Sequence, residues 1–180
     1  MSDTLIENAM RLQRAGRLNE AADIYAQVLR EQPRHFDALH ALGIIRYQTG
    51  RLEEAVRLIG EAANVNPNAA NAFYNRACLL HRLNRLDEAL ACFDRAVAIK
   101  PDYVEALVNR SMVLATLNRH DAALASLDAV IALRPSIAEA WNNRGAALFA
   151  LGRHEEALAS YDRASALKPE YAEGWKNRDM

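Results

Sequence analysis

Apolar residues recur at intervals of three and four along most of the chain, which is the spacing of one face of an α-helix. The stretch before the third proline shows this pattern at Leu86, Ala89, Leu90, Phe93, Ala96 and Val97. The chain has five prolines, and they stand 34 residues apart, at Pro33, Pro67, Pro101, Pro135 and Pro169. Because proline ends or interrupts a helix, the pattern predicts an all-α chain built from a repeated module.

Aligning the prolines gives repeats 2–35, 36–69, 70–103, 104–137 and 138–171, followed by a remnant at 172–180. Position 15 of the repeats holds a residue that tolerates a left-handed helix end, namely Gly16, Gly50, Asn84, Asn118 and Gly152. Position 16 is arginine in every repeat, and the acids that follow suit the first turn of a new helix. Positions 8 and 20 stay small, so each repeat is predicted to be a tight antiparallel pair of helices.

These columns resemble the tetratricopeptide repeat (TPR) family, whose pattern has a small residue at position 8, Gly near 15, Ala at 20 and Pro at 32. The resemblance covers residues 2–180 and implies a right-handed α-α superhelix, a TPR solenoid, in a single domain over 1–180. It would contain five helix-turn-helix repeats and a short C-terminal helix, or partial repeat, at 172–180. The departures are arginine at position 7 in several repeats, Gly60 inside a second helix, and Leu5 in the first repeat where others have an aromatic residue.

Composition narrows the function. The 22 basic and 23 acidic residues give a net charge of −1, which predicts that nucleic acid is not a partner. The chain begins without a signal-peptide pattern and has no apolar run of membrane length, so a cytoplasmic protein without membrane insertion is expected. Cys78 and Cys92 lack metal-ligand spacing, and neither a phosphate loop nor a nucleophile with a base is found. We therefore expect no metal, no cofactor and no enzymatic activity.

Arginine at position 7 and aspartate at position 25 occur in the same repeats, as Arg76, Arg110 and Arg144 with Asp94, Asp128 and Asp162. This predicts ion pairs between the two helices of one repeat or between neighbouring repeats. The alternative is a row of arginines that binds an acidic ligand. Matched carboxylates favour the structural role.

The family resemblance implies that the first helix of each repeat lines a concave surface and exposes positions 2, 5, 6, 9, 12 and 13. Position 6 is then a ladder of carboxamides, at Asn75, Asn109, Asn143 and Asn177, which would hold the backbone of an extended peptide. The other predicted contact residues are His40, Ile44, Tyr47, Tyr74, His81, Val108, Met112 and Phe149. The alternative is that the asparagines bridge neighbouring first helices and that the apolar residues pack between repeats.

Three functions are consistent with this pattern. The first is a free-standing scaffold that binds a protein or peptide. The second is the substrate-guiding arm of a larger enzyme, because the ladder and the string WNNRG at 141–145 look like O-linked N-acetylglucosamine transferases. The third is end-to-end self-association, suggested by the helix-like remnant with Trp175. TPR co-chaperones bind the C-terminal carboxylate of a chaperone through a clamp that includes a cation. Binding of such a tail is disfavoured here, because the corresponding positions are Glu105, Glu139 and Glu173, which would repel the carboxylate.

Overall fold

The computed structural model describes residues 2–169. Its helices are α1 (Ser2–Arg14), α2 (Leu18–Glu31), α3 (Phe36–Gln48), α4 (Leu52–Val65), α5 (Ala70–Arg82), α6 (Leu86–Ile99), α7 (Val104–Thr116), α8 (His120–Leu133), α9 (Ala138–Ala150) and α10 (His154–Leu167). Consecutive helices pair within each 34-residue repeat, which confirms the all-α fold of five helix-turn-helix repeats. The helix predicted for 172–180 lies outside the described residues.

The turn between the two helices of a repeat has the same backbone geometry in all five repeats. The residue at position 15 has a positive φ throughout, between 57° at Asn84 and Asn118 and 80° at Gly50. The next backbone N–H then donates to a carbonyl five residues earlier, as from Arg85 to Leu80 at 2.9 Å. This is a Schellman ending, which satisfies carbonyls that the helix leaves without partners. The predicted helix ends are therefore confirmed.

In four of the repeats the arginine after this turn pairs with a glutamate three residues later, in the first turn of the second helix. The Arg85 guanidinium donates through Nε and Nη2 to the Glu88 carboxylate, each at 2.7 Å. Arg153 and Glu156 form the same two-bond pair at 2.7 and 2.8 Å. These side chains are exposed, so each pair adds little to stability and serves mainly to fix the turn.

Close packing of the paired helices explains the two columns of small residues. The position-20 alanines are all buried, with exposures of 0 or 1% at Ala21, Ala55, Ala89, Ala123 and Ala157. At position 8, Gly43 and Gly145 leave no room for a side chain. A Cβ on Gly43 would lie 2.5 Å from Ile59 Cγ1, and one on Gly145 would overlap the ring of Tyr161.

The helices fall into two compact units. The first unit, Met1–Ile99, holds α1–α6, and its fully buried side chains include Tyr25, Ile45, Ile59, Leu80 and Phe93. The second unit, Lys100–Met180, holds α7–α10 around Leu114, Leu127 and Leu148. Within each unit, a helix packs mainly against the helices before and after it. The single domain over 1–180 stays a prediction.

One of the predicted arginine–aspartate pairs is formed between neighbouring repeats. In the second unit, Arg144 Nε donates to Asp128 Oδ1 of the preceding repeat at 2.7 Å. Within its own repeat, Arg144 Nη1 donates to Ser160 Oγ at 2.8 Å. Of the two arrangements that the sequence left open, this pair follows the one between repeats.

Candidate functional site

The predicted binding residues of the first unit include a hydrogen bond between two first helices. Asn75 Nδ2, on α5, donates to His40 Nε2, on α3, at 3.0 Å. The ring of Phe36 stacks on His40 with 5.7 Å between centroids and 5° between planes. Asn75 therefore bridges neighbouring first helices, as the alternative interpretation of its column expects. Phe36 was not among the predicted residues, because it lies at the helix start, outside the positions considered.

A second contact joins the same two helices further along. Arg82 Nη1 donates to the Tyr47 hydroxyl at 2.7 Å, and the guanidinium carbon lies 5.3 Å from the ring centroid. Both pairs join residues 35 positions apart, one more than the repeat length. A residue on one first helix thus meets the following position on the next one. Arg82 was not predicted, although it occupies position 13, which the family pattern exposes.

The other predicted residues of the first unit are less exposed. Ile44, Tyr74 and His81 are half-buried. The Tyr74 ring lies 6.1 Å from that of Phe93, at an interplanar angle of 58°, so it partly covers the core. These three residues lie on the first helices, but only part of each side chain is exposed.

In the second unit the asparagine column has different neighbours. Asn143 Oδ1 accepts a hydrogen bond from Asn142 Nδ2 at 3.3 Å. In the 35-residue register its counterpart on α7 is Val108, whose side chain cannot form hydrogen bonds. Asn109 and Val108 are half-buried. Asn143 is therefore not held by a histidine as Asn75 is, and Asn177 lies outside the described residues.

Exposed apolar side chains are concentrated on the first helices. In the part of the chain that the structure describes, Met10, Tyr47, Met112 and Phe149 are exposed large hydrophobic residues of first helices. All four stand at position 9 or 12, two of the positions expected to contact a ligand. Phe149 is the most exposed of them, at 60%, and meets the ring of His154 edge-on at 5.0 Å. The corresponding residues on second helices are Leu133 and Leu158.

The electrostatics of the His40 cluster favour a neutral imidazole. Burial lowers the pKa of His40, and the nearby Asp37 carboxylate only partly opposes this effect. With Nε2 accepting from Asn75, the ring proton is assigned to Nδ1. Protonation of Nε2 would remove this acceptor and break the link between α3 and α5.

We expect the protein to lose stability as the pH falls below about 6.5, the ordinary histidine value. Because the folded state lowers the pKa of His40, the unfolded chain binds the proton more tightly, and acid favours unfolding. One group contributes at most about 1.4 kcal/mol per pH unit. Urea unfolding at pH 7.5, 6.5 and 5.5 measures this, and His40→Gln should flatten the dependence. Equal pH slopes in both proteins would contradict the prediction.

Between residues 2 and 169 there is no group of three His, Cys, Asp or Glu side chains that could hold a metal ion. Over the same residues no helix is both long and apolar enough to span a bilayer. Cys78 is half-buried and Cys92 is buried. Burial raises the pKa of the Cys92 thiol, which disfavours the reactive thiolate.

Comparison with known proteins agrees with this architecture. The sequence profile described as "Tetratricopeptide repeat" matches residues 6–64, 40–104 and 108–172. A search of curated protein sequences gives no match. Among solved structures, YrrB, a TPR protein with an unusual peptide-binding site, aligns at 24% identity and a TM-score of 0.89, over 98% of this chain and 91% of YrrB.

Crystal structures of MamA are similar as well. One aligns at 21% identity and a TM-score of 0.83, over 92% of this chain and 96% of MamA. Another aligns at 20% identity and a TM-score of 0.85, over 99% of this chain and 96% of that one. At these identities the likeness shows a shared fold.

Proposed function

The chain belongs to the tetratricopeptide repeat family, and on this premise we propose that it is a non-catalytic scaffold that binds an extended segment of another polypeptide. The proposed contact surface is the exposed face of the first helices. The observation that carries the proposal is the placement of Met10, Tyr47, Met112 and Phe149 at positions 9 and 12 of those helices.

These side chains suit a ligand whose sequence varies. Methionine is flexible and polarizable, so Met10 and Met112 can adapt to different apolar partners. Tyr47 and Phe149 offer broad ring faces at a low cost in side-chain entropy. YrrB, which shares the fold, is described as a TPR protein that has an unusual peptide-binding site. Apolar contacts are therefore proposed to supply most of the affinity.

The amides are proposed to supply hydrogen bonds to the ligand backbone. Each such bond contributes only about 0.5–1.5 kcal/mol net, so several are needed. In this proposal Asn109 and Asn143 contact the ligand directly. Asn75 takes part after exchanging its bond to His40, or stays a bridge between α3 and α5. The same role, a hydrogen bond to the ligand backbone, is proposed for Asn177.

The proposal is tested by selecting binders from a library of random peptides displayed on phage and measuring their affinities by calorimetry. We expect Phe149→Ala to weaken the selected peptides by about tenfold, which corresponds to about 1.4 kcal/mol. The matched control is Leu133→Ala, because Leu133 is also exposed but lies on the second helix α8. It should change the affinity by less than about twofold.

Two results would contradict the proposed function. One is a library that yields no specific binder. The other is an equal loss of affinity in the Phe149 and Leu133 variants, which would place the contact surface elsewhere. Four further expectations stay predictions from the sequence: a substrate-guiding arm, end-to-end self-association, a cytoplasmic location and the exclusion of nucleic acid as a partner.

A further inference from the structure

In the fifth repeat, the arginine at position 7 has two hydrogen-bond partners. Arg144 bonds through Nε to the aspartate at position 25 of the preceding repeat, Asp128. Through Nη1 it bonds to the serine at position 23 of its own repeat, Ser160. Arg110 donates to Ser126, at the same position of its repeat, at 2.6 Å. The fold therefore places a carboxylate and a hydroxyl around this guanidinium.

Arg76, the equivalent residue on α5, faces neither of these groups. Position 25 of the preceding repeat is Gly60, and position 23 of its own repeat is Cys92. A Cβ added to Gly60 would lie 3.2 Å from both Nε and Cζ of Arg76, so a side chain at this position would meet the guanidinium directly. The Nε of Arg76 is buried and has no hydrogen-bond partner among residues 2–169. A buried charged donor without a partner is energetically costly.

An open surface cleft with a volume of about 350 Å³ is lined by both Gly60, the position-25 residue, and Arg76. The other charged groups of its wall are already paired. Arg57 bonds to Glu61 at 2.6 Å. Arg85 bonds to Glu53 at 3.3 Å and to Glu88 at 2.7 Å. Arg76 is thus the wall arginine for which position 25 of the preceding repeat supplies no carboxylate.

We infer that this cleft, which we call the Gly60 pocket, binds a carboxylate that accepts hydrogen bonds from the Arg76 guanidinium, as Asp128 does from that of Arg144. The ligand is an aspartate or glutamate side chain of another polypeptide or a small organic acid. Guanidinium and carboxylate form strong charge-assisted bonds, and the volume accommodates atoms beyond the carboxylate. The inference goes beyond the proposed function, because it uses none of the exposed residues of the first-helix face and needs no peptide bound there.

The Nε–Hε signal of Arg76 in nitrogen-15 NMR tests the inference, since it responds to a carboxylate bound at the guanidinium. It is assigned by its loss in Arg76→Lys. Sodium acetate is titrated against sodium chloride at constant ionic strength. We expect a saturable shift of this signal in the wild type. Gly60→Asp, which copies the residue of the later repeats, should shift the signal without acetate and reduce the acetate response at least about tenfold.

Two further variants make the test independent of folding defects. Arg57→Gln removes a neighbouring wall arginine and should leave the response within about twofold of the wild type. Asp128→Gly removes the internal carboxylate and should give Arg144 an acetate response that the wild-type residue lacks. Far-ultraviolet circular dichroism confirms that each variant is folded.

The probes also distinguish the sources of the carboxylate. A blocked Gly-Asp-Gly tripeptide that binds more tightly than acetate supports a polypeptide ligand, and equal binding supports a small acid. The inference is overturned if acetate shifts Arg76 no more than it shifts Arg57, if Gly60→Asp leaves the response unchanged, or if inorganic phosphate shifts the signal and acetate does not.

Discussion

Replacing Phe93 by alanine is expected to lower the free energy of unfolding by about 3–5 kcal/mol, the usual range for a buried phenylalanine. Phe93 is fully buried, and its ring lies 6.1 Å from that of Tyr74 in the same repeat. The change removes apolar contacts and leaves a cavity that the surrounding helices can only partly close. Urea unfolding followed by circular dichroism measures the loss.

The chain supplies its own control for this variant. Leu127 occupies the same column in another repeat and is also buried. Phe93→Leu should therefore lose about 1 kcal/mol, well below the alanine variant. A loss below about 1 kcal/mol for Phe93→Ala would mean that the site collapses without a cavity, contrary to the close packing inferred here.

Replacing Gly145 by serine is expected to lower the free energy of unfolding by about 1–3 kcal/mol, the cost of overpacking a tight interface. A Cβ at this position would overlap the Tyr161 ring, so the ring or the helix must move. The fourth repeat shows the alternative solution, with Ser111 at position 8 and Leu127 at position 24. Both of those residues are buried.

The double variant Gly145→Ser, Tyr161→Leu copies the pair of the fourth repeat. If steric overlap causes the loss, the double variant should be more stable than the sum of the two single changes predicts, by at least about 0.5 kcal/mol. Strict additivity of the two losses in thermal and urea unfolding would show that the small residue serves another purpose. The comparison separates packing of α9 on α10 from the intrinsic helix preference of glycine.

The sequence predicted the repeats because their boundaries are determined locally. Gly50 and Asn84 adopt the left-handed conformation that their residue types favour, and the following arginine forms the same backbone bond in every repeat. The buried alanines follow equally from the need for two helices to approach closely. None of these features depends on residues far away in the chain.

The residues of the candidate site and their pairing within the structure could be predicted only in part. The columns identified Tyr47, Met112 and Phe149 as contact residues, and these side chains are exposed. The 35-residue register that joins His40 to Asn75 could not be predicted, since it depends on how one hairpin slides along the next. For the same reason the sequence left open which aspartate would face Arg144.

In the first unit each helix packs mainly against the helices before and after it, so most contacts join helices that are adjacent along the chain. A protein of this kind should come apart under a stretching force in separate steps, since breaking one hairpin leaves the next intact. Each step would release one 34-residue length of chain, about 110 Å when extended. A single-molecule force–extension trace would then show extension steps whose length corresponds to the 34-residue spacing of the prolines.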